Sequence, residues 1–234
     1  MSVQLLKFNV NAPKMQQTQT FLELHQAFID QQAKFATYRV NNMNIIALPN
    51  VYHPAPGSSS FFLLEPIRER YQHLKTKKKR LLELGCGTGF VGLSLGEYVE
   101  ELYLSDIASP AVLCARINTF INFRKAKIYH SDLFKSLPDV LFDAILFNTP
   151  LLDKPIESLA ELSTNDPNGQ IFLNFIAQVP QYLAPQGEIF LTYSTLGDLG
   201  LLKKIPPSFT VEKIAEEKHE GTQSEKYLFR LTIN

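Results

Sequence analysis

The stretch Leu81-Leu82-Glu83-Leu84-Gly85-Cys86-Gly87-Thr88-Gly89 constrains this chain more than any other. A short apolar run that ends in alternating glycines and passes at once into a helical pattern reads as a buried strand, a tight turn and a helix. The glycines let the backbone turn sharply and approach a ligand with no side chain between. A dinucleotide fingerprint needs Gly-x-Gly-x-x-Gly, with helix amides facing a pyrophosphate. Here the third glycine comes one residue early, and Phe90 fills the fingerprint position. Glu83, two residues before the first glycine, also suits a cationic ligand better than a phosphate. A nicotinamide dehydrogenase is therefore the weakest reading, and a turn that serves packing alone would not need so many glycines.

From residue 80 onward, apolar runs alternate with helix-sized segments. The runs are RLLELG (80–85), ELYLSD (101–106), KIYHSD (127–132), FDAILFN (142–148) and GEIFLTYS (187–194). This pattern predicts βαβ units and a parallel sheet. Ser109 is expected to cap a helix with Pro110 in its first turn, and Val112, Leu113, Ile117, Phe120 and Ile121 to form its apolar side. A second helix from Gln170 carries Ile171, Phe172, Phe175, Ile176, Val179 and Leu183 at helical spacing, with Pro180 interrupting it. FTVEKIAEE and EKYLFRLTI then alternate around a polar turn, Glu220 to Ser224, as a terminal antiparallel pair. The expected architecture is α/β and doubly wound: a mostly parallel seven-stranded sheet with an antiparallel edge pair.

The first fifty residues differ. Thr20 and Glu23 read as a capping box ahead of a Phe21, Leu24, Phe28 stripe. YRV and NIIAL flank Asn41-Asn42 as a hairpin, and Pro49, Pro54 and Pro56 lead into a helix around Phe61 to Tyr71. Residues 1–50 are read as a small appendage against the sheet and 51–234 as the main domain. With 234 residues, 45% apolar and 20% charged, one ordinary core is expected. No apolar run approaches the ~20 residues of a membrane helix, and the N-terminus lacks the pattern of a secretory signal. Cys86 and Cys114 make neither a disulfide framework nor a zinc site, which points to a reducing, cytoplasmic setting and no bound metal. Lys+Arg and Asp+Glu are both 23, so there is no overall basic excess for gripping nucleic acid.

Two more acids complete the pattern. Asp106 ends the second strand, where an acid can accept hydrogen bonds from ribose hydroxyls. Asp132 ends the third. Alone it would read as a helix cap, but with Glu83 and Asp106 it places three carboxylates at successive carboxyl ends of parallel strands, the edge where open α/β sheets bind ligands. This constellation resembles the Rossmann-like S-adenosylmethionine-dependent methyltransferases. The resemblance implies that Glu83, Gly85, Cys86, Gly87 and Gly89 pass the methionine and sugar portions of the cofactor. It implies Asp106 with Ile107 at the ribose, and Asp132 with Leu133 at the adenine.

FDAILFNTPLL (142–152) is similar to the passage after strand four in the HemK/PrmC-like branch, which has Asn-Pro-Pro-Tyr there and methylates planar amino groups of glutamine side chains and nucleobases. VYHPAPGSS (51–59) is similar to that branch's Tyr-x-Pro-Ala segment, and residues 165–191 to its Asn-Gly-helix-Pro-x-Gly-strand passage. The resemblance implies a catalytic Asn148-Thr149-Pro150, with Asn148 also beside the cofactor. Its departures are Thr149 for the first proline and Leu151 for the aromatic residue. A planar amino group needs acceptors for its two hydrogens, and the Asn148 side-chain oxygen and the residue 149 carbonyl can supply them. A stacking ring is lost, worth roughly 1–3 kcal/mol per base in nucleic-acid binders. The expectation is N-methylation of a protein side chain first, a small molecule next and nucleic acid last, with no membrane partner. The alternative is a non-catalytic S-adenosylmethionine-binding partner or sensor. The run Lys75 to Arg80 reads as a solvated connection, His53 beside Tyr52 as structural, and Cys86 as a backbone contact without thiol chemistry.

Overall fold

The computed structural model describes residues 19–55, 57–219 and 224–233, and side chains from residue 23 onward within them, His219 excepted. The N-terminal residues read above for a targeting signal, the Thr20 and Phe21 side chains, and the polar turn apart from Ser224 lie outside that set.

Among the described residues the chain forms helix α1 (Gln19–Gln32), hairpin strands β1 (Ala36–Val40) and β2 (Met43–Ala47), and α2 (Ser59–Gln72). Then β3 (Lys78–Leu84), α3 (Phe90–Leu95), β4 (Val99–Asp106), α4 (Ser109–Ile121), β5 (Lys127–His130) and β6 (Phe142–Asn148) alternate. After α5 (Gln170–Gln178) come β7 (Leu183–Ser194), β8 (Phe209–His219) and β9 (Ser224–Ile233). The main sheet has seven strands in the order β5-β4-β3-β6-β7-β9-β8. β5, β4, β3, β6 and β7 pair in parallel, and β9 is antiparallel to both β7 and β8. This is the doubly wound sheet with an antiparallel edge that the sequence predicts.

Strand alternation sorts the core into two layers. Leu81, Leu102, Leu104, Leu146 and Phe190 face α2, α3 and the hairpin. Leu82, Tyr103, Ile145, Phe147 and Leu191 face α5 with its Phe172 and Phe175. The hairpin turns at Asn41 and Asn42, with φ of 46° and 59°, the left-handed pair a two-residue primed turn requires.

Four local expectations fail. Thr20 lies within α1 (Gln19–Gln32) rather than at its cap. α4 starts at Ser109 itself, and the amide of its cap residue, Ala108, is taken by the Asp106 carboxylate at 2.9 Å. The second helix stops at Gln178 and tightens into a 3-10 turn around Pro180, so Leu183 opens β7 instead of ending a helix. The buried side of α4 is Ala111, Val112, Cys114, Ala115 and Asn118, while Leu113 and Phe120 point outward. Asn118 decides that face: its oxygen accepts from the Ile46 amide at 2.8 Å, and its nitrogen donates to the carbonyls of Ile46 and Thr88 at 2.8 and 2.9 Å. The edge of β2 would otherwise hold unpaired backbone groups in the core.

Candidate active site

β3 ends in the glycine loop, and Gly85, Gly87 and Gly89 all take positive φ, at 61°, 53° and 76°. The loop turns back so that the Cys86 amide donates to the Ser105 carbonyl at 2.9 Å, and the Gly87 amide to the Asp106 carboxylate at 2.8 Å. A cavity of about 320 Å³ opens at this carboxyl edge. Glu83, Gly85, Cys86 and Gly87 line it, as do Asp106, Ile107, Asp132, Leu133, Asn148 and Pro150. Gly89 does not line it. A Cβ there would meet Leu104 at 3.1 Å, so this glycine lets α3 pack on β4.

The three acids differ in state. Glu83 is buried and its Oε2 accepts from the Gly92 amide at 2.8 Å. Burial pushes its carboxyl up to about 8, against the pull of that amide and with the help of the neighbouring Asp106 charge. Asp106 is buried too, and both oxygens hold backbone: Gly87 on one, Ala108 on the other. Burial raises its carboxyl although the amides of Ala108, Gly87 and Ile107 favour the ionised form. It therefore shapes the loop as well as facing the cavity. β5 ends at His130, two residues short of Asp132, and Leu133 takes φ 46°. The exposed Asp132 carboxylate forms no hydrogen bond or ion pair among the described residues and stands open at the cavity rim. Cys86 is buried and its thiol is pushed well up by burial, in keeping with a backbone role.

Asn148, the last residue of β6, lines a second cavity of about 260 Å³ as well as the first. Its Nδ2 donates to Ser59 Oγ at 2.9 Å, and its Oδ1 accepts from Thr192 Oγ1 at 2.8 Å. The carboxamide is clamped, with one lone pair of Oδ1 left for another donor. Thr149 lines only the second cavity, and its hydroxyl donates to the Thr192 carbonyl. Leu151 lines the second cavity beside Phe28 of α1 and Tyr52, whose rings stand 5.4 Å apart. Tyr52 borders both cavities and its hydroxyl shares a hydrogen bond with Ser59 at 2.8 Å. His53 is buried away from them, its Nδ1 sharing a hydrogen bond with Tyr38 at 2.9 Å. No site role for Ser59, Thr192 or Phe28 follows from the sequence. Ser59 lies in the quoted VYHPAPGSS passage and Phe28 in the apolar stripe of α1, but nothing local marks Thr192.

The donor set suits the cofactor that the glycine loop implies. Backbone freed of side chains, the buried Glu83 carboxyl, a strand-end acid and an open acceptor at the far rim share one cavity. The family described as methyltransferase small domain matches residues 42–218. The chain belongs to that family. As a member of the methyltransferase small domain family it is an S-adenosylmethionine-dependent methyltransferase. It is 31% identical over 179 residues to a putative protein N5-glutamine methyltransferase of Methanocaldococcus jannaschii, covering 73% of this chain and 86% of the relative. It is 34% identical over 119 residues to ribosomal RNA small subunit methyltransferase C of Actinobacillus pleuropneumoniae serotype 3, covering 50% of this chain. That match spans 35% of the relative's length. Among solved structures the fold is similar to the T. thermophilus 16S rRNA N2 G1207 methyltransferase in complex with AdoMet and guanosine. The TM-score is 0.63 at 22% identity, over 86% of this chain and 50% of that one.

These relatives overturn one expectation. The sequence reading placed nucleic acid last among acceptors and protein first, yet relatives of the methyltransferase small domain family include ribosomal RNA methyltransferases by name. The physical error is that net charge sums over the whole surface, whereas a nucleic acid meets only the charges on one face. Among the described residues no helix is long and apolar enough to cross a membrane.

Proposed function

We propose that this methyltransferase N-methylates a planar amide or amino group held at Asn148, with the cofactor in the larger cavity and the acceptor in the smaller. The observation that carries the reading is that Asn148 forms a wall common to both cavities. Bound there, S-adenosylmethionine supplies a methyl on a cationic sulfur, which keeps the electron pair when the carbon–sulfur bond breaks. Asp106 with Ile107 would hold the ribose, Asp132 with Leu133 the adenine, and Glu83 with the loop of Gly85, Cys86 and Gly87 the methionine portion.

The chain's own task is then placement. The free lone pair of Asn148 Oδ1 and the Thr149 carbonyl accept the two hydrogens of the target nitrogen, which turns its own lone pair toward the methyl. As the nitrogen–carbon bond forms, positive charge grows on nitrogen, and both acceptors bind it more strongly. The surplus proton leaves to water. Ser59 and Thr192 act through Asn148 as positioning residues. Phe28 supplies the flat surface that Leu151 does not, so residues 1–50 work on this reading as an acceptor-side addition to the domain at 51–234.

Tritiated methyl transfer into protein, RNA and small-molecule fractions of a lysate tests the reading. Label in any fraction, lost in Asn148→Ala while S-adenosylhomocysteine still binds, supports it. Full activity in Asn148→Ala would mean that the acceptor sits elsewhere. Phe28→Ala should raise KM for the acceptor several-fold and leave the cofactor's KM unchanged.

A further inference from the structure

The outward side of α4 is the face the sequence misassigned to the core. Leu113, Arg116 and Phe120 recur at spacings of three and four and so share one side of the helix. Leu113 is 52% exposed, Phe120 81% and Phe123, just past the helix end, 94%. Phe123 sits at φ 54°, a conformation disfavoured for a bulky residue. The turn that holds it there is well tied. The Phe123 amide donates to the Phe120 carbonyl at 3.1 Å and the Arg124 amide to the Thr119 carbonyl at 3.0 Å. The Asn122 side chain donates to the carbonyls of Asn44 and Asn118, both at 2.8 Å. Two aromatic rings are thereby held in water on an anchored backbone.

Along the chain the charge on either side of them has one sign. From Ile107 to Ser131 there is no Asp or Glu, while Arg116, Arg124, Lys125 and Lys127 all fall there. Lys127 is paired with Glu101 at 2.7 Å. Arg116, Arg124 and Lys125 are exposed and form no ion pair among the described residues. In the more obvious basic run Lys78 is paired with Glu188 at 2.9 Å and Arg80 with Glu101 at 2.7 Å. Lys75, Lys77 and Lys79 are exposed without an ion pair among the described residues, but no aromatic residue is interleaved with them. The α4 face starts at Ile107, on the rim of the cofactor cavity, and ends at β5, the open edge of the sheet.

Exposed Phe and Arg also occur at interfaces with a protein partner or a second copy, but Lys is depleted there, and this stretch carries Lys125 and no acid. Rings interleaved with unpaired cations suit a strand whose bases stack and whose phosphates are neutralised. We propose that Leu113, Arg116, Phe120, Phe123, Arg124 and Lys125 form a binding surface for single-stranded nucleic acid. Bases stack on Phe120 and Phe123, and the three cations meet the backbone. The surface does not depend on where methyl transfer occurs, and binding is measured without it.

Fluorescence anisotropy with labelled 12-nucleotide RNA and DNA of mixed sequence tests the proposal, with melting by circular dichroism confirming that each variant folds. Phe120→Ala with Phe123→Ala should weaken binding at least tenfold at low salt and leave its salt dependence unchanged. Arg116→Ser, Arg124→Ser and Lys125→Ser together should flatten the slope of log affinity against log salt by about 2, at roughly 0.7 per lost phosphate contact. Preference for one of the two strands identifies the nucleic acid. No binding by the wild type, or equal binding by folded variants, overturns the proposal. So does a wild-type dimer in light scattering that the phenylalanine variant dissolves without any change in oligonucleotide affinity.

Discussion

Glu83 and Asn148 carry the most specific residue-level expectations. Burial raises the Glu83 carboxyl from its ordinary 4.5 to about 8, so near pH 7 it is protonated in the free protein. If a cationic cofactor ionises it, binding releases a proton, and affinity should climb between pH 6 and 8 and then level off. Calorimetry at pH 7 in buffers of different ionisation enthalpy reads that proton directly. Identical heats in all buffers would mean that Glu83 meets no cation. The same shift acts on stability with a fixed sign. A raised folded value contributes stability that is complete below 4.5 and lost as pH climbs to about 8. Glu83→Gln should therefore gain on the wild type by about 1 kcal/mol per pH unit across that window, while binding the cofactor more weakly. At Asn148, removal of the carboxamide should lower the rate by ~10²–10³. Thr192→Val removes one of its two anchors and should cost roughly tenfold, a single hydrogen bond's worth. Thr192→Ser should restore the rate, which a purely structural role in β7 would not predict.

Helix α3, only six residues long, shows how an element can depend on one atom's absence. A Cβ on Gly92 would stand 2.5 Å from Leu104 Cδ2 and 2.7 Å from Glu83 Oε2. Gly92 is in ordinary helical conformation, so its freedom of φ is irrelevant and its size is what counts. Gly92→Ala should push α3 off β3 and β4 at a cost of roughly 1–3 kcal/mol, and cofactor affinity should fall with it because Glu83 is displaced. Urea unfolding together with calorimetry checks both effects. Retained stability with lost affinity would place the strain on Glu83 alone.

Across the whole molecule, Glu188 on β7 joins parts that are remote in sequence. It is buried and meets Arg230 of β9 at 2.6 Å, Lys78 of β3 at 2.9 Å and Arg70 of α2 at 3.1 Å. Burial alone would push its carboxyl up, but the hydrogen bonds from Arg230 and Lys78 outweigh that and hold it below its usual range. A depressed folded value gives stability present above about 4.5 and lost as pH falls through the folded value. Glu188→Gln leaves three cations around a neutral amide and should cost roughly 3 kcal/mol at pH 7. The difference from wild type in urea melts should shrink below pH 4. A constant difference at all pH would assign the loss to packing rather than charge.

Periodicity and turn chemistry alone carried much of this protein. Alternating apolar runs specify the parallel strands, the glycine loop specifies a strand-to-helix turn, Asn41-Asn42 specifies the hairpin, and acids at successive strand ends mark one edge as the ligand-binding edge. These features are local, and the backbone geometry they demand has few solutions. What tertiary structure decided depends on neighbours far along the chain. Asn148 is oriented by Ser59 and Thr192, 89 and 44 residues away. Phe28 reaches the second cavity only because α1 crosses it. The face α4 buries was chosen by the unpaired edge of β2, which needs Asn118 and small residues close by, against the apolar stripe that hydrophobicity alone would bury. Satisfying buried backbone groups outweighs covering Leu113 and Phe120, since each buried unpaired group costs about 1–3 kcal/mol and no local pattern announces where such groups will fall.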